Sequence, residues 1–181
     1  MAIAVEREFA GGDERLLGLA ASGDREALDR LVAEHRDRLY AVVRGIVLDD
    51  DEADDVVQDV LAHLPRQIGK FDGRSKFSTW VYRIAVNRAV SHLRAARFRF
   101  RPVPIEKVEI VAPETPSVDP TVSAALARLN PQDRAAITLY YWEELPMDEI
   151  AATLGIGVSA AKMRLHRARE RFRDAYEELD R

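Results

Sequence analysis

The stretch FDGRSKFSTWVYRIAVNRAVSHLRAARFRFR, residues 71–101, has the most distinctive composition in the chain. From Arg74 to Arg101 it carries arginine and lysine but no Asp or Glu, although the whole chain has a formal net charge of −4. Aromatic residues are interleaved with these charges. Because cations pair with phosphates and aromatic faces stack on bases, this pattern is typical of a surface for nucleic acid whose bases are unstacked.

The same stretch has helical periodicity. Its apolar positions recur at steps of three and four residues, which predicts an amphipathic helix with Ser78 or Thr79 as the N-cap. Asn87 and Ser91 lie four residues apart and therefore share one face. The alternative is a core helix with a solvated basic side, since Trp80 and the other large apolar residues of the helix pack inward in either case.

Length and composition limit the class of protein. A chain of 181 residues can hold two small helical domains, each with its own core. Cysteine is absent from the sequence, which excludes disulfides and thiolate metal sites. No signal peptide and no run of 18 apolar residues is present, so we expect a soluble, cytoplasmic protein without membrane insertion.

Two helices are predicted before the acidic block. A short helix from Asp13 to Ser22 is expected to end at Gly23, and Asp24 is expected to cap a longer helix with an apolar stripe. His35 falls within that stripe, where a packed side chain is a simpler interpretation than a metal ligand.

The block DDDEADDVVQD, residues 49–59, is as acidic as the following stretch is basic. Carboxylates in the first turn of a helix are favoured by the helix dipole, which accounts for some of these residues. The remainder exceed that need, and a basic partner surface would relieve their repulsion. Pro65 interrupts the pattern and predicts that the helix kinks or ends near Leu64.

Residues 102–120 are predicted to form a linker. Prolines recur through the segment PVPIEKVEIVAPETPSVDP and preclude a continuous helix, although the segment is unusually apolar for a free spacer.

After Pro120 the pattern becomes helical again. Asn130 and Pro131 mark the start of a helix to about Glu143, which is expected to bury Ala135, Ile137, Leu139, Tyr140 and Trp142. Residues 147–173 then predict a helix-turn-helix. Its first helix is expected to run from Met147 to Leu154 and to stop at Gly155. Ile156 and Val158 are expected to fill the angle between the two helices. Ser159 is expected to cap the second helix, which is strongly basic. Such a helix typically enters the DNA major groove.

These motifs, DDEADDVVQDVLAHL followed by FDGRSKFSTWVYRIAVNRAV and then the C-terminal helix-turn-helix, resemble bacterial sigma factors of the extracytoplasmic-function group of the sigma-70 family. The resemblance covers roughly residues 12–100 and 122–178. It implies an all-α protein of two small helical domains joined by a proline-rich linker: a sigma-2-like domain over residues 1–101, the linker over 102–120 and a sigma-4-like helix-turn-helix domain over 121–181.

The resemblance also implies partners and site residues. Such a protein binds RNA polymerase core through the β′ clamp and β, recognises promoter −10 and −35 elements and assists melting, and is held inactive by an anti-sigma factor. The positions matching the core-binding motif are Asp54, Asp55, Gln58 and Asp59. Those matching the −10 motif are Phe71, Asp72, Gly73, Arg74, Ser75, Lys76, Trp80, Arg83, Asn87, Arg88 and Ser91. Those matching the −35 motif are Ser159, Lys162, Met163, Arg164, His166, Arg167 and Arg171.

Several positions depart from the family pattern, among them Pro146, which replaces the usual serine cap before the first helix of the helix-turn-helix. Pro65 replaces a large aromatic residue, Ser91 is smaller than the polar residue in many relatives, and Met163 stands where serine is common. These departures leave the geometry after Leu64 and the preferred promoter sequence open.

Two other functions compete with this interpretation. One is a stand-alone transcriptional regulator with a helical sensor domain, which would not need an acidic helix beside a basic aromatic one. The other is a metal- or nucleotide-dependent nucleic-acid enzyme that uses residues 49–59 as ligands. With four histidines, no cysteine, no phosphate-binding glycine loop and no nucleophile elbow, the sequence predicts neither an enzyme nor a bound cofactor or metal.

Overall fold

The computed structural model describes residues 15–99 and 119–180, with side chains described up to residue 96 in the first range. The described residues form helices joined by short turns and contain no strand, which confirms the all-α prediction. The helices are α1 (15–21), α2 (Arg25–Val47), α3 (Asp50–Gln67), α4 (Phe77–Arg99), α5 (Pro120–Ala127), α6 (Pro131–Tyr141), α7 (Met147–Leu154) and α8 (Val158–Leu179), with a 3-10 turn at Ile68–Lys70 after α3. The predicted linker 102–120 lies outside the described residues except for Asp119, which caps α5, and Pro120.

Local capping chemistry sets the first helix boundaries. Gly23 has φ +100°, a left-handed conformation that glycine adopts without a steric penalty, and it separates α1 from α2. The Asp24 side chain accepts a hydrogen bond from the Ala27 backbone N–H at 3.1 Å. Asp49 caps α3 in the same way, accepting from the Glu52 N–H at 2.9 Å. The predictions for Gly23 and Asp24 are therefore confirmed.

The N-terminal helices α2, α3 and α4 pack around a shared apolar core. The side chains with almost no exposure come from all three helices, among them Leu31, Leu39, Val42, Val60, Leu64 and Val81. This core positions the acidic face of α3 and the basic face of α4 on the outside of the same bundle.

The C-terminal helices form the predicted helix-turn-helix. Asn130 caps α6 by accepting from the Asp133 N–H at 2.9 Å, and Gly155 ends α7 with φ +66°. Ala161, Leu165 and Ala168 are buried on the inner face of α8, as the periodicity predicts.

Several predicted boundaries are wrong. α4 begins at Phe77, so neither Ser78 nor Thr79 is its N-cap, and α8 begins at Val158 after Gly157 rather than at Ser159. Val158 is 42% exposed and does not fill the angle between the helices. The predicted end of α3 near Leu64 is also wrong, because the helix continues through Pro65 to Gln67 and the Ile68 N–H still bonds to the Leu64 carbonyl; the alternative, a kink at Pro65, stays a prediction.

The end of α6 also differs from the prediction. The helix ends at Tyr141, and Tyr140 and Trp142 are 38% and 49% exposed. The chain turns here, with Glu144 in a left-handed conformation at φ 51°. Glu143 points inward at this turn. Its carboxylate accepts hydrogen bonds there from two side chains of the N-terminal helices, Arg38 and Tyr82.

The N-terminal and C-terminal helices pack directly on one another. One buried cluster runs from α2, α3 and α4 into α6, α7 and α8. At its edge Glu143 accepts hydrogen bonds from the Tyr82 hydroxyl at 2.9 Å and the Arg38 Nε at 3.0 Å. Burial, followed by the nearby Glu143 carboxylate, raises the pKa of Tyr82 and keeps its hydroxyl a hydrogen-bond donor.

Gly45 allows the closest approach between the two halves. A Cβ at this position would lie 2.5 Å from the Thr138 Oγ1 and 2.7 Å from its Cγ2. Thr138 is 1% exposed and has little freedom to move away. The absent side chain of Gly45 therefore determines how closely α2 and α6 can pack.

We predict that Gly45→Ala destabilises the packed arrangement by about 1–3 kcal/mol, since overpacking outweighs the better helix propensity of alanine. Urea unfolding should show a lower midpoint, and small-angle scattering should show a larger radius of gyration. Gly18→Ala is the matched control, because a Cβ at Gly18 meets nothing within 4 Å. An unchanged midpoint and radius for Gly45→Ala would contradict this packing.

Candidate functional site

The acidic surface of α3, defined as Asp54, Asp55, Gln58 and Asp59, faces away from the core. Ala53, Val56, Val57 and Val60 are buried on the opposite side of the helix. Asp54, Asp55 and Gln58 are exposed, and Asp59 is partly exposed. The structure thus brings all four predicted core-binding residues onto one accessible face.

Asp59 also links the acidic helix to the basic one. Its carboxylate pairs with the Arg88 Nε of α4 and lies 3.2 Å from the His63 Nδ1. The hydrogen bond from Arg88 lowers the pKa of Asp59 below its usual range, against the opposing effect of burial. Two residues predicted for different partners, Asp59 for the polymerase and Arg88 for DNA, are therefore bound to each other.

The loop before α4 is held by its own side chains. Arg74 pairs with Asp72 at 3.1 Å, and its backbone N–H also bonds to that carboxylate at 3.1 Å. Gly73 between them has φ +71°, which glycine adopts readily. The loop is therefore an ordered turn with exposed charges.

An aromatic cluster lies where this loop begins, at Phe71, and where it joins α4, at Phe77 and Trp80. The Phe71 ring lies 5.9 Å from Phe77 and 5.5 Å from Trp80, measured between centroids. His35 adds a fourth ring at 5.4 Å from Phe77, so its packed interpretation is confirmed. Trp80 is partly exposed, whereas Tyr82 is 1% exposed and points into the contact with Glu143.

The exposed face of α4 carries the predicted polar residues. Asn87 and Ser91 are both exposed, as are Arg83 and Arg88, while Ala85, Val86 and Ala89 are buried. Ser75 is half-buried in the loop that leads into this face.

The first turn of α4 is bound by an acid from the helix-turn-helix. Glu149 of α7 pairs with the Lys76 Nζ at 2.8 Å and accepts a hydrogen bond from the Thr79 hydroxyl at 2.9 Å. Arg83, one turn further on, lies close to Gly155 at the end of α7. Sequence reasoning missed Glu149 because nothing in the local pattern predicts a contact 70 residues away.

The basic surface of α8, defined as Ser159, Lys162, Met163, His166 and Arg167, is exposed along its length. Met163 is 49% exposed, which is unusual for a large apolar residue. Arg164 and Arg171, also predicted for DNA, differ from these residues: the Arg164 guanidinium bonds to Gln132 at 2.7 Å and that of Arg171 to Asp133 at 2.5 Å. The spacing of Asn130 and Asp133 predicts a helix start, but not this contact with α8.

Within residues 15–99 and 119–180, no group of three or more His, Cys, Asp or Glu side chains could hold a metal ion. No helix in these ranges is long and apolar enough to cross a membrane.

Comparisons with known families match both halves of the chain. Residues 31–99 match the family described as Sigma-70 region 2, and residues 121–172 match Sigma-70, region 4. The chain is 33% identical to the RNA polymerase sigma-H factor of Pseudomonas aeruginosa over 92% of this chain and 95% of that protein. It is 32% identical to the ECF RNA polymerase sigma factor SigM of Mycobacterium tuberculosis over 91% and 86% of the two chains.

Solved structures show the same fold. CnrH, determined in complex with the cytosolic domain of CnrY, is similar with a TM-score of 0.70 and 28% identity over 92% of this chain and 98% of that one. The sigma factor RpoE of Bartonella quintana, determined with the anti-sigma factor NepR, is similar with a TM-score of 0.68 and 26% identity over 84% and 98%.

We predict that Arg88→Gln raises the pKa of Asp59 toward its ordinary value. Because pairing lowers the pKa in the folded state, the pair stabilises the fold above the ordinary carboxyl range, and this contribution is lost as the pH falls through the lowered pKa. The stability difference between wild type and Arg88→Gln should therefore be present at neutral pH, begin to shrink as the pH approaches the ordinary carboxyl pKa of about 4, and vanish only below the lowered pKa of Asp59. Carbon NMR titration of Asp59 checks the pKa directly, and Arg83→Gln, which removes a guanidinium elsewhere on α4, should leave it unchanged.

Proposed function

Because this chain belongs to the extracytoplasmic-function group of sigma-70 factors, which direct RNA polymerase to promoters, we propose that α3 binds the polymerase core while α4 and α8 recognise the −10 and −35 elements. The observation that carries this division is the placement of an exposed acidic face and an exposed basic face on neighbouring helices of one bundle. One face suits a basic protein surface and the other suits DNA.

In this proposal the acidic surface of α3 binds the polymerase core. The side chains of Asp55 and Gln58 are exposed and have no hydrogen-bond partner among the described residues, so their polar atoms are available to another molecule. Repulsion among the carboxylates is relieved when a basic surface covers them. The coiled coil of the polymerase β′ clamp is the expected partner, with β as a further contact.

Recognition of the −10 element falls to α4 and the loop before it. Asn87 and Ser91 present hydrogen-bonding groups on one exposed face. The aromatic cluster gives the adjoining loop, with Phe71, Asp72, Gly73, Arg74, Ser75 and Lys76, a rigid base against which an extruded nucleotide can be held. The free energy lost on extrusion, a few kcal/mol, is recovered by stacking and hydrogen bonds.

Recognition of the −35 element falls to the basic surface of α8. It follows the α7–α8 turn, as the recognition helix of a helix-turn-helix does, and its N-terminal residues are free to contact base edges. Met163 places an apolar side chain on this surface. In the major groove such a side chain suits contact with a thymine methyl better than contact with a hydrogen-bonding base edge.

An anti-sigma factor completes the proposed set of partners. The similar sigma factor RpoE was determined with one bound. The family consists of transcription initiation factors, and we assign no catalytic residue and no cofactor to the chain.

We predict that Asp55→Arg weakens binding to polymerase core about tenfold or more, because it places a cation against a basic partner surface. Pull-down with purified core polymerase measures the affinity, and circular dichroism should show unchanged folding, since Asp55 is exposed. Glu177→Arg makes the same charge change at an exposed position of α8 and should bind core normally. Equal affinities for wild type and Asp55→Arg would disprove the assignment of α3.

We predict that Asn87→Ala and Arg167→Ala affect different parts of the promoter. In run-off transcription with core polymerase, Asn87→Ala should lose discrimination among −10 variants, and Arg167→Ala among −35 variants, each by about 1–3 kcal/mol. Arg173→Ala removes another exposed arginine of α8 and is the control for charge alone. A uniform loss on all promoters for both variants would refute the division between α4 and α8.

A further inference from the structure

Asp133, in the first turn of α6, is an acid that no promoter contact requires. Its side chain is 6% exposed, and its carboxylate is surrounded by donors. The Asn130 Nδ2 donates at 2.7 Å, the Arg171 guanidinium donates at 2.5 Å, and the Arg164 guanidinium lies 3.6 Å away. A buried carboxylate is costly unless it is paired, so these cations are strongly held.

The two arginines remain partly available to another molecule. The Arg171 side chain is 59% exposed and that of Arg164 is 28% exposed. A guanidinium has five N–H donors, of which the described contacts of each arginine use only part. Gln132 accepts a hydrogen bond at 2.7 Å from the same Arg164 nitrogen, Nη1, that faces Asp133. Each arginine is thus fixed at one edge while its other edge faces solvent.

These groups surround an open cleft. It has a volume of about 600 Å³ between the start of α6 and the outer face of α8, and Met163 and Arg167 of the basic surface line it together with Arg164 and Arg171. Residues 164 and 171 lie seven apart and therefore share a helix face, with Arg167 between them. The fixed arginines flank the residue proposed to contact bases.

We propose that Asp133 is a positioning residue for −35 recognition: its buried carboxylate holds Arg164 and Arg171 so that their free N–H groups meet DNA phosphates on either side of Arg167. The inference rests on the proposed role of α8. Phosphate contacts set the register of a protein on duplex DNA, and base contacts then supply specificity. A fixed register lets Arg167 and Met163 meet the same base pairs in every complex.

Simple charge arguments predict the opposite effect of removing this acid. Neutralising a carboxylate near DNA makes the surface more positive and strengthens binding to any sequence. If Asp133 positions the arginines, Asp133→Asn instead weakens binding to a matched −35 element although the protein has become more basic. The sign of the change therefore separates the two effects.

The test measures holoenzyme binding, with the full chain and core polymerase, to promoters with a matched or a scrambled −35 element over a range of salt concentrations. Asp133→Asn should lower the matched-to-scrambled affinity ratio about tenfold and reduce the salt slope on the matched promoter by about 1–2, as one or two phosphate contacts are lost. Gln132→Ala, at an exposed position, should have a smaller effect of the same sign through Arg164 and does not risk the fold. In a background that carries both Arg164→Gln and Arg171→Gln, Asp133→Asn should add little.

Three results would overturn the inference. An unchanged ratio and slope for Asp133→Asn, while Arg167→Ala loses −35 discrimination, would leave α8 as the −35 helix but remove the role of Asp133. Unchanged ratios for both variants would remove the proposed function of α8 as well. Equal weakening on both promoters, in proportion to lost folded protein, would assign Asp133 a purely structural role.

Discussion

The buried carboxylate of Glu143 is the contact on which the packed arrangement most depends. A charge with 4% of its side chain exposed is tolerated only because Tyr82 and Arg38 reach it from the other half of the molecule. Removing Arg38 would leave the carboxylate without this cation, and removing Tyr82 would leave it with one hydrogen bond fewer, at the edge of a continuous apolar core. The inward turn after α6 and the exposure of the neighbouring aromatic residues both follow from satisfying this carboxylate.

A second constraint is the opposition of charge between α3 and α4. The helices share one core, so their outer faces are neighbours, and the Asp59–Arg88 pair joins them. A partner that binds either residue must compete with the other. Under the roles proposed for α3 and α4, contact with polymerase and contact with DNA are therefore coupled through one ion pair, a linkage that two separate surfaces would lack.

The sequence was a good guide to features with local causes. Helical periodicity, the caps Asp24 and Asn130 and the stop at Gly155 depend on residues within one or two turns, and all appear as predicted. The errors with a long-range cause concern α4 and the end of α6, whereas the start of α8 at Val158 and the continuation of α3 through Pro65 were misjudged on local grounds. Thr79 was expected to cap α4 but bonds to Glu149 of α7, and Trp142 was expected inside but Glu143 takes that place.

The same distinction applies to the site. The acidic surface of α3 and the basic surface of α8 follow from periodicity and charge, so their exposure could be predicted. The roles of Asp133 and Gln132 could not, because a hydrogen bond between residues 32 or 38 positions apart leaves no trace in local spacing. Arg164 and Arg171 look like their neighbours in the sequence, and only the fold distinguishes them.

Under the proposed role of Lys76 in binding DNA, its pairing with Glu149 makes this carboxylate an internal competitor for nucleic acid. The carboxylate lies 2.8 Å from the ammonium group and takes one of the donor directions that a phosphate oxygen could use. A strand that engages Lys76 competes with this carboxylate for the ammonium donors, so its binding is weaker in the molecules where Glu149 keeps its place. Under that role the protein favours ligands that can replace an acid that it already carries.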